Sequence, residues 1–575
     1  MRSIRVFRRL PPYFAALFLS LLATASPADT GREEFSRSFQ KALPLKAGQR
    51  LSIEHKNGDI RIRTHSEPQV SIEAKIRVSS SDREGAEKFA NGIRIEVEPR
   101  GDGVSIRTVY PEKSWHFEGT GHVSYSVDYE ITMPEAALLT VRNRFGDVDV
   151  GGLKAAGEIV NANGKVLFRE GRGKQRIENS FGSVELAGNA GETTLINSNG
   201  AVTATNVEGD LEVRDRFGRV SVTKVSRRCA VTNGNGDVVL ADVEGEATVT
   251  SSFGKVEVRN VGGNLGAQNT NGAVTVTGVS GRAELATSFG SLTFSDMKKD
   301  VNVVGTNASV SGRRVTGTVG VRNTFGPVEL TDIGGAIDVE NTNGRIRARD
   351  IKGAAKMTTR FAEIDASGIG GDATASNSNS WIALLNVEGS ADVRGSFGDV
   401  NVTHVKKGAK IVSGNGRVTL ADIGGSGYVK TSFGLVEAAR VSGDLTVENS
   451  NSAVRASDVS GNASVRTSFG AVTLEGVGGS IDIDDQNGAV EVRRFAGKGC
   501  QKVSIKTSFG PIRIGLPDNA SYAVTARTSF GKIRSDFPIT TSGSLSDASL
   551  SGKIGDGRCE MTLSNNNGNI EIVKK

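Results

Sequence analysis

Cysteine, proline, aromatic side chains and a surplus of one charge sign are all scarce in this 575-residue chain. Twelve prolines beside 72 glycines exclude a collagen-like or proline-rich disordered polymer. Aromatic residues are 5% and hydrophobic residues 37% of the chain, too few for several large globular cores. A thin core with many turns, as in a repeat protein, is the architecture that remains. Three cysteines leave at least one thiol unpaired.

The formal charge of +6 owes much to Arg2, Arg5, Arg8 and Arg9, which lie in a segment with no acid. Residues 1–25 combine this basic start with an apolar stretch, Tyr13 to Leu22, and a small-x-small cleavage site, Ala23-Thr24-Ala25. That pattern predicts a removed signal peptide. The apolar stretch is short for a membrane span, and no cysteine follows it to carry a lipid. Without those four arginines, 66 basic residues face 64 acidic ones, a net of +2. Charge therefore gives no support for nucleic-acid or anionic-membrane binding. The expected location is exported: periplasm, cell surface or medium, with no membrane span after cleavage.

What the chain does have is a period. Phe-Gly stands at 145, 181, 217, 253, 289, 325, 397, 433 and 469, with Phe361-Ala362 filling the gap, so every step is 36 residues. Midway stand Asn163, Asn199, Asn235, Asn271, Asn307, Asn343, Asn379, Asn415, Asn451 and Asn487. The unit is thus 18 residues, repeated without insertion. Three residues after each mark the side chain is always aliphatic, as in Val256, Val274 and Leu292. Eight residues after it the column is apolar except at Gly171 and Asn189. Between inward positions lie Lys255, Glu257 and Arg259, the period-2 alternation of strands with one wet face.

Eighteen residues accommodate two or three short strands but cannot bury their own valines. Stacking the units in register does so, because each strand then pairs with its copies above and below. The fold class expected is all-β, a parallel β-solenoid of the right-handed β-helix kind, with 18-residue rungs paired into a 36-residue repeat. A propeller needs blades of about 40 residues, which does not fit the unit. The organisation expected is a signal peptide (1–25), a β-rich N-terminal capping region with one short helix (26–140), the regular solenoid (141–495), and irregular C-terminal rungs and cap (496–575). Ser81-Asp82-Arg83-Glu84 reads as a capping box opening the helix, which ends near Asn91-Gly92. Cys229 falls in a core column. Cys500 and Cys559, counted along successive rungs, lie about three rungs or ~14 Å apart. A disulfide requires Cα atoms within ~7 Å, so no bond is predicted.

Leu51-Ser52-Ile53 with Asn57-Gly58-Asp59-Ile60, the recurrent Thr-Ser-Phe-Gly and Asn-x-Asn-Gly corners, and Asn567-Gly568-Asn569-Ile570 give the chain a family likeness. It resembles the bacterial putative-adhesin family, a domain of unknown function related to auto-transporter adhesin head domains. The resemblance implies a β-helical extracytoplasmic protein with an adhesive role, and it supplies no catalytic residues.

The phenylalanine marks Phe145, Phe181, Phe217, Phe253, Phe289, Phe325, Phe361, Phe397, Phe433 and Phe469 are the candidate binding residues. Stacking places them at one angular position, every ~9.6 Å. The favoured reading folds each ring inward to plug a corner of the core, with the asparagines hydrogen-bonding in a ladder at the turn. The competing reading is an exposed apolar stripe that binds a partner or envelope polymer.

Enzymatic signals are weak. Asp484 and Asp485 are neighbours on a strand and point to opposite faces, so they do not converge as glycosidase carboxylates would. The histidines His55, His65, His116, His122 and His404 are scattered; His116 and His122 flank a glycine-rich loop beside Trp115. No phosphate loop, calcium nonapeptide repeat or nucleophile elbow is present. The sequence thus predicts a protein that is not an enzyme, with no cofactor and no metal, acting as an adhesin-like or envelope-associated binder through its lateral surface. Its partner would be a cell-surface or envelope polysaccharide or protein. The alternatives are a structural spacer or self-assembling scaffold, and a polysaccharide-active β-helix enzyme.

Overall fold

The computed structural model describes residues 33–111, 123–497, 499–541 and 546–575. The expected signal peptide lies outside them, as do His116, His122 and Trp115. The described chain is a β-solenoid with a single short helix, Arg83–Gly92. Most 18-residue rungs contribute two strands, for example Val256–Val261 and Leu265–Asn271, while Ala283–Met297 and Val301–Val315 each continue through the corner as one. Each pairs in parallel with its copy one rung on: Val256 with Val274, and Leu265 with Ala283. Two parallel sheets therefore face each other across a narrow core in which Val256, Val274 and Leu292 are all buried.

One backbone device recurs in every rung marked from Phe145 to Asn487. Among the described residues, all fifteen non-glycine residues with positive φ, from Glu170 to Arg494, stand seven residues after a mark. In the other five rungs that position is Gly152, Gly188, Gly278, Gly368 or Gly476, also at positive φ. The left-handed residue lets two consecutive side chains point outward, Arg259 and Asn260 for instance, before Val261 turns back into the core. Without it the strict alternation of a strand would put the eighth residue on the wet face. Asn, Asp and Gly dominate the column because they tolerate this conformation.

The two exceptions in the apolar column are compensated locally. The Phe168 ring, fully buried, occupies the space a side chain at Gly171 would need. Asn189 is buried but donates its Nδ2 to Gly173 O (3.1 Å) and Thr193 Oγ1 (2.8 Å).

Both ends depart from simple stacking. At the N-terminal end the rung formed by Arg50–Glu54 and Ile60–His65 is inserted between strands that come later in sequence. Beyond it, Glu33–Pro44 and Gln69–Ser80 run antiparallel and close one sheet, while Arg94–Arg100 closes the other. The helix lays Ala86 and Ala90 into this cap. It starts at Arg83 with Asp82 as N-cap and no side-chain cap hydrogen bond, so the capping box read at Ser81 does not form; Glu84 falls one position too early for it.

At the C-terminal end, Cys559–Ser564 and Ile570–Lys574 return to lie directly on Val503–Lys506 and Ile512–Leu516. Tyr522–Arg527 and Ile533–Ser535 are displaced outward by one rung. This return overturns the expectation for the cysteines. Cys500 and Cys559 are bonded, with Cα atoms 5.2 Å apart, because spatial order is not chain order here. Cys229 is buried in the core and free.

Candidate functional site: the phenylalanine ladder

The corner residues stack rung on rung. Asn57 bridges to Phe145, Phe145 pairs with Asn163, and Asn163 with Phe181. The same pairing continues through Asn235, Phe253 and Asn271. Glycine follows most marks because the chains approach closely: at Gly254 (φ 96°) a Cβ would land on the carbonyl of Gly236.

The rings themselves point outward. Phe145 is 42% exposed, Phe253 51% and Phe469 64%, and all ten candidate phenylalanines are exposed. The expectation that they plug the core is therefore wrong. The inward position at each corner is instead two residues earlier, occupied by Asn161, Asn179, Asn233, Asn269, Asn341 and their equivalents, buried apart from the half-buried Gly395. These donate Nδ2 to the glycine carbonyl one rung below: Asn179 to Gly164 (2.9 Å), Asn269 to Gly254 (2.8 Å), Asn341 to Gly326 (2.8 Å). With a polar residue holding the inner side of the corner, except at Gly305 and Gly395, and a glycine at most tips, little room is left inside for a ring. Several mark asparagines also bond to the rung beneath, as expected: Asn163 donates to Arg144 O (3.1 Å) and Asn379 to Arg360 O (2.9 Å).

Past Asn487 the spacing loosens, with Phe509 after 22 residues and Phe530 after another 21, in the stretch expected to hold irregular rungs and not counted among the candidate residues. Phe509 (61% exposed) and Phe530 (82%) continue the line. Phe509 N–H donates to Gln486 O, Asn567 N–H to Ser508 O, and Phe530 N–H to Asn566 O. The spatial order is thus Asn487, Phe509, Asn567, Phe530. Phenylalanine and asparagine keep alternating although the chain order does not. The Ser-Phe-Gly triplets at 508–510 and 529–531 were the available signal. Trp381, 42% exposed, adds a further aromatic beside the ladder.

The ladder is poor in charge toward its C-terminal half. Ser432-Phe433-Gly434-Leu435, Ser468-Phe469-Gly470-Ala471 and Ser508-Phe509-Gly510-Pro511 carry none. Nearer the N-terminus Arg144 and Arg216 stack over the rings of Phe145 and Phe217, their guanidinium carbons 5.5 and 5.4 Å from the centroids. Elsewhere on the surface charges meet across rungs. Arg345 reaches Glu329 (3.2 Å) and Arg347 reaches Asp365 (3.5 Å). Arg314 holds Asp296 through two bonds, 2.6 and 2.8 Å, and keeps that carboxyl down at about 2.

The other titratable groups singled out by the sequence stand apart from one another. Asp484 is exposed and Asp485 buried on the opposite face, so the pair does not converge. His55 is buried in the N-terminal cap, its Nδ1 3.0 Å from Thr108 Oγ1, which in turn lies 2.6 Å from the Tyr129 hydroxyl. Burial lowers its pKa to about 4. Asp215 replaces an asparagine in the inner column, and burial raises its carboxyl to about 6. His404 faces Asp422 at 3.5 Å on the surface. Among the described residues no three His, Cys, Asp or Glu side chains cluster as metal ligands would, and no helix is long and apolar enough to cross a membrane.

No curated protein matches the chain. Among solved structures, a putative cell adhesion protein from Clostridium sporogenes ATCC 15579 aligns at 8% identity over 39% of this chain and 99% of its own. Its TM-score of 0.16 is too low to transfer fold or role. The family comparison is more direct, and it falls on the segment where the ladder is most exposed and least charged. Residues 434–573 match the family described as Toastrack DUF4097. The likeness read from the corner motifs is thereby borne out: over its last rungs the chain is similar to this family, a domain of unknown function.

Proposed function

We propose that this protein is an exported, non-catalytic, adhesin-like rod that makes its contacts in or on the cell envelope through the phenylalanine ladder. One observation carries the reading: the phenylalanines of successive repeats stand in one line on the outside of the fold instead of filling its core. Twelve exposed rings on one face exceed the scattered apolar exposure of an ordinary monomer. The Cys500–Cys559 bond suits an oxidising compartment, as does the leader expected at residues 1–25.

The test is a binding assay against a glycan panel, envelope fractions, and cells with and without this protein on their surface. Wild type is compared with Phe253→Asn/Phe289→Asn, a change that copies the chain's own asparagine corners. Binding that depends on the phenylalanines supports the proposal. Binding indifferent to them, or none to any target, removes it.

A further inference from the structure

The ladder has a geometry that selects its occupant. Rings recur every second rung, ~9.6 Å apart, and the rung between always presents the shorter asparagine. A second identical ladder laid against the first, offset by one rung, places each ring in the gap above an asparagine. Rings from the two copies then alternate at ~4.8 Å, inside the range of about 4.5–7 Å at which aromatic pairs stack. Two phenylalanines on consecutive rungs would close the gap. The structure avoids this even at the C-terminus, where Asn567 is threaded between Phe509 and Phe530 by an out-of-order rung.

Area points the same way. With each ring about half exposed, and ~200 Å² in an aromatic side chain, the twelve together present on the order of 1,200 Å² along one line. A stable interface needs about 800 Å² from each partner. The corners at Ser432-Phe433-Gly434-Leu435, Ser468-Phe469-Gly470-Ala471 and Ser508-Phe509-Gly510-Pro511 carry no charge themselves, and in an antiparallel pair they meet the N-terminal corners of the second copy, where Arg144 and Arg216 already lie on aromatic faces.

Resting on the reading of the ladder as the binding face, we infer that its partner is a second copy of this chain. The two rods pair side by side and antiparallel, with their phenylalanines interleaved. A two-fold axis passing midway between a ring corner and the adjacent asparagine corner generates this pairing and closes it as a dimer.

Sedimentation velocity on the purified protein over a concentration series tests the pairing, with Phe433→Asn/Phe469→Asn/Phe509→Asn alongside. The expected result is a dimer whose dissociation constant rises by ~100-fold or more in the triple variant. Circular dichroism should match wild type, as should melting at concentrations low enough that both proteins are monomeric, because asparagine already occupies every other corner. Phe469→Asn alone serves if the triple variant does not fold. A dimer unaffected by these changes overturns the inference, since another face would be holding it. A monomer at every concentration that still binds glycans or cells lacking the protein through its phenylalanines overturns self-pairing and leaves the binding face standing. A monomer with no phenylalanine-dependent binding at all sinks both.

Discussion

A single side chain in the inner column shows how strictly each corner is specified. Asn197 and Asn233, on either side of Asp215, donate to the carbonyls of Gly182 and Gly218. An ionised aspartate at the same place has no proton to give, and burial raises its pKa to about 6. The unfolded carboxyl titrates near 4, so the folded state binds the extra proton between about pH 4 and 6. Asp215 therefore costs stability as pH rises through that window. Asp215→Asn should stabilise the rod by roughly 2 kcal/mol at pH 7 and hardly at all at pH 4, as read by denaturant melts at both pH values. The left-handed column offers a second residue-scale test. Lys224 sits at φ 60° where its equivalents are mostly Asn, Asp or Gly. Lys224→Asn should gain about 0.5–1 kcal/mol, and Lys224→Val should lose at least as much, because a β-branched side chain tolerates that backbone least.

At the scale of elements, the caps differ from the repeats in what holds them. The C-terminal return is tied by Cys500–Cys559 across a separation of 59 residues. Loop-closure entropy for that span corresponds to about 4 kcal/mol. Reduction, or Cys500→Ser, should loosen strands Tyr522–Arg527 and Cys559–Ser564 first. Hydrogen exchange would show lost protection there while the middle rungs keep theirs. The N-terminal cap depends on neutral His55, whose Nε2 is buried without a partner. Its folded pKa of about 4 lies below the ordinary value of 6.5, so the cap's stability is complete above about pH 6.5 and is lost as pH falls toward 4. Acid exposure should open the strands around Thr108 and Tyr129 before the solenoid melts. This runs opposite in sign to Asp215, which is why local exchange and not a bulk melting curve separates them.

Over the whole molecule, stability is close to a sum of rung and rung–rung terms, whereas the ladder has a phase that the sum ignores. Deleting residues 254–271 removes one rung and places Phe253 beside Phe289; deleting 254–289 removes two and keeps the alternation. Both variants should melt within a few degrees of wild type, and only the one-rung deletion should impair binding through the ladder. Melting curves run beside the binding assay decide this. The eighteen-residue period, the parallel stacking and the valine seam were legible in the sequence because a repeated pattern of branched aliphatics can bury itself in only one way. Val148 through Val490 are buried as that pattern requires. The direction of the phenylalanines was not legible. A ring and an inner asparagine stand two residues apart on the same face of a strand, and only the tight glycine turn between rungs swings one of them out. Nor could a linear count of rungs foresee the disulfide or the order in which Phe509 and Phe530 join the ladder. Composition and period are local properties and fixed the rod; the order in which its end rungs stack depends on contacts between distant segments, and that order alone joined Cys500 to Cys559 and set Asn567 between Phe509 and Phe530.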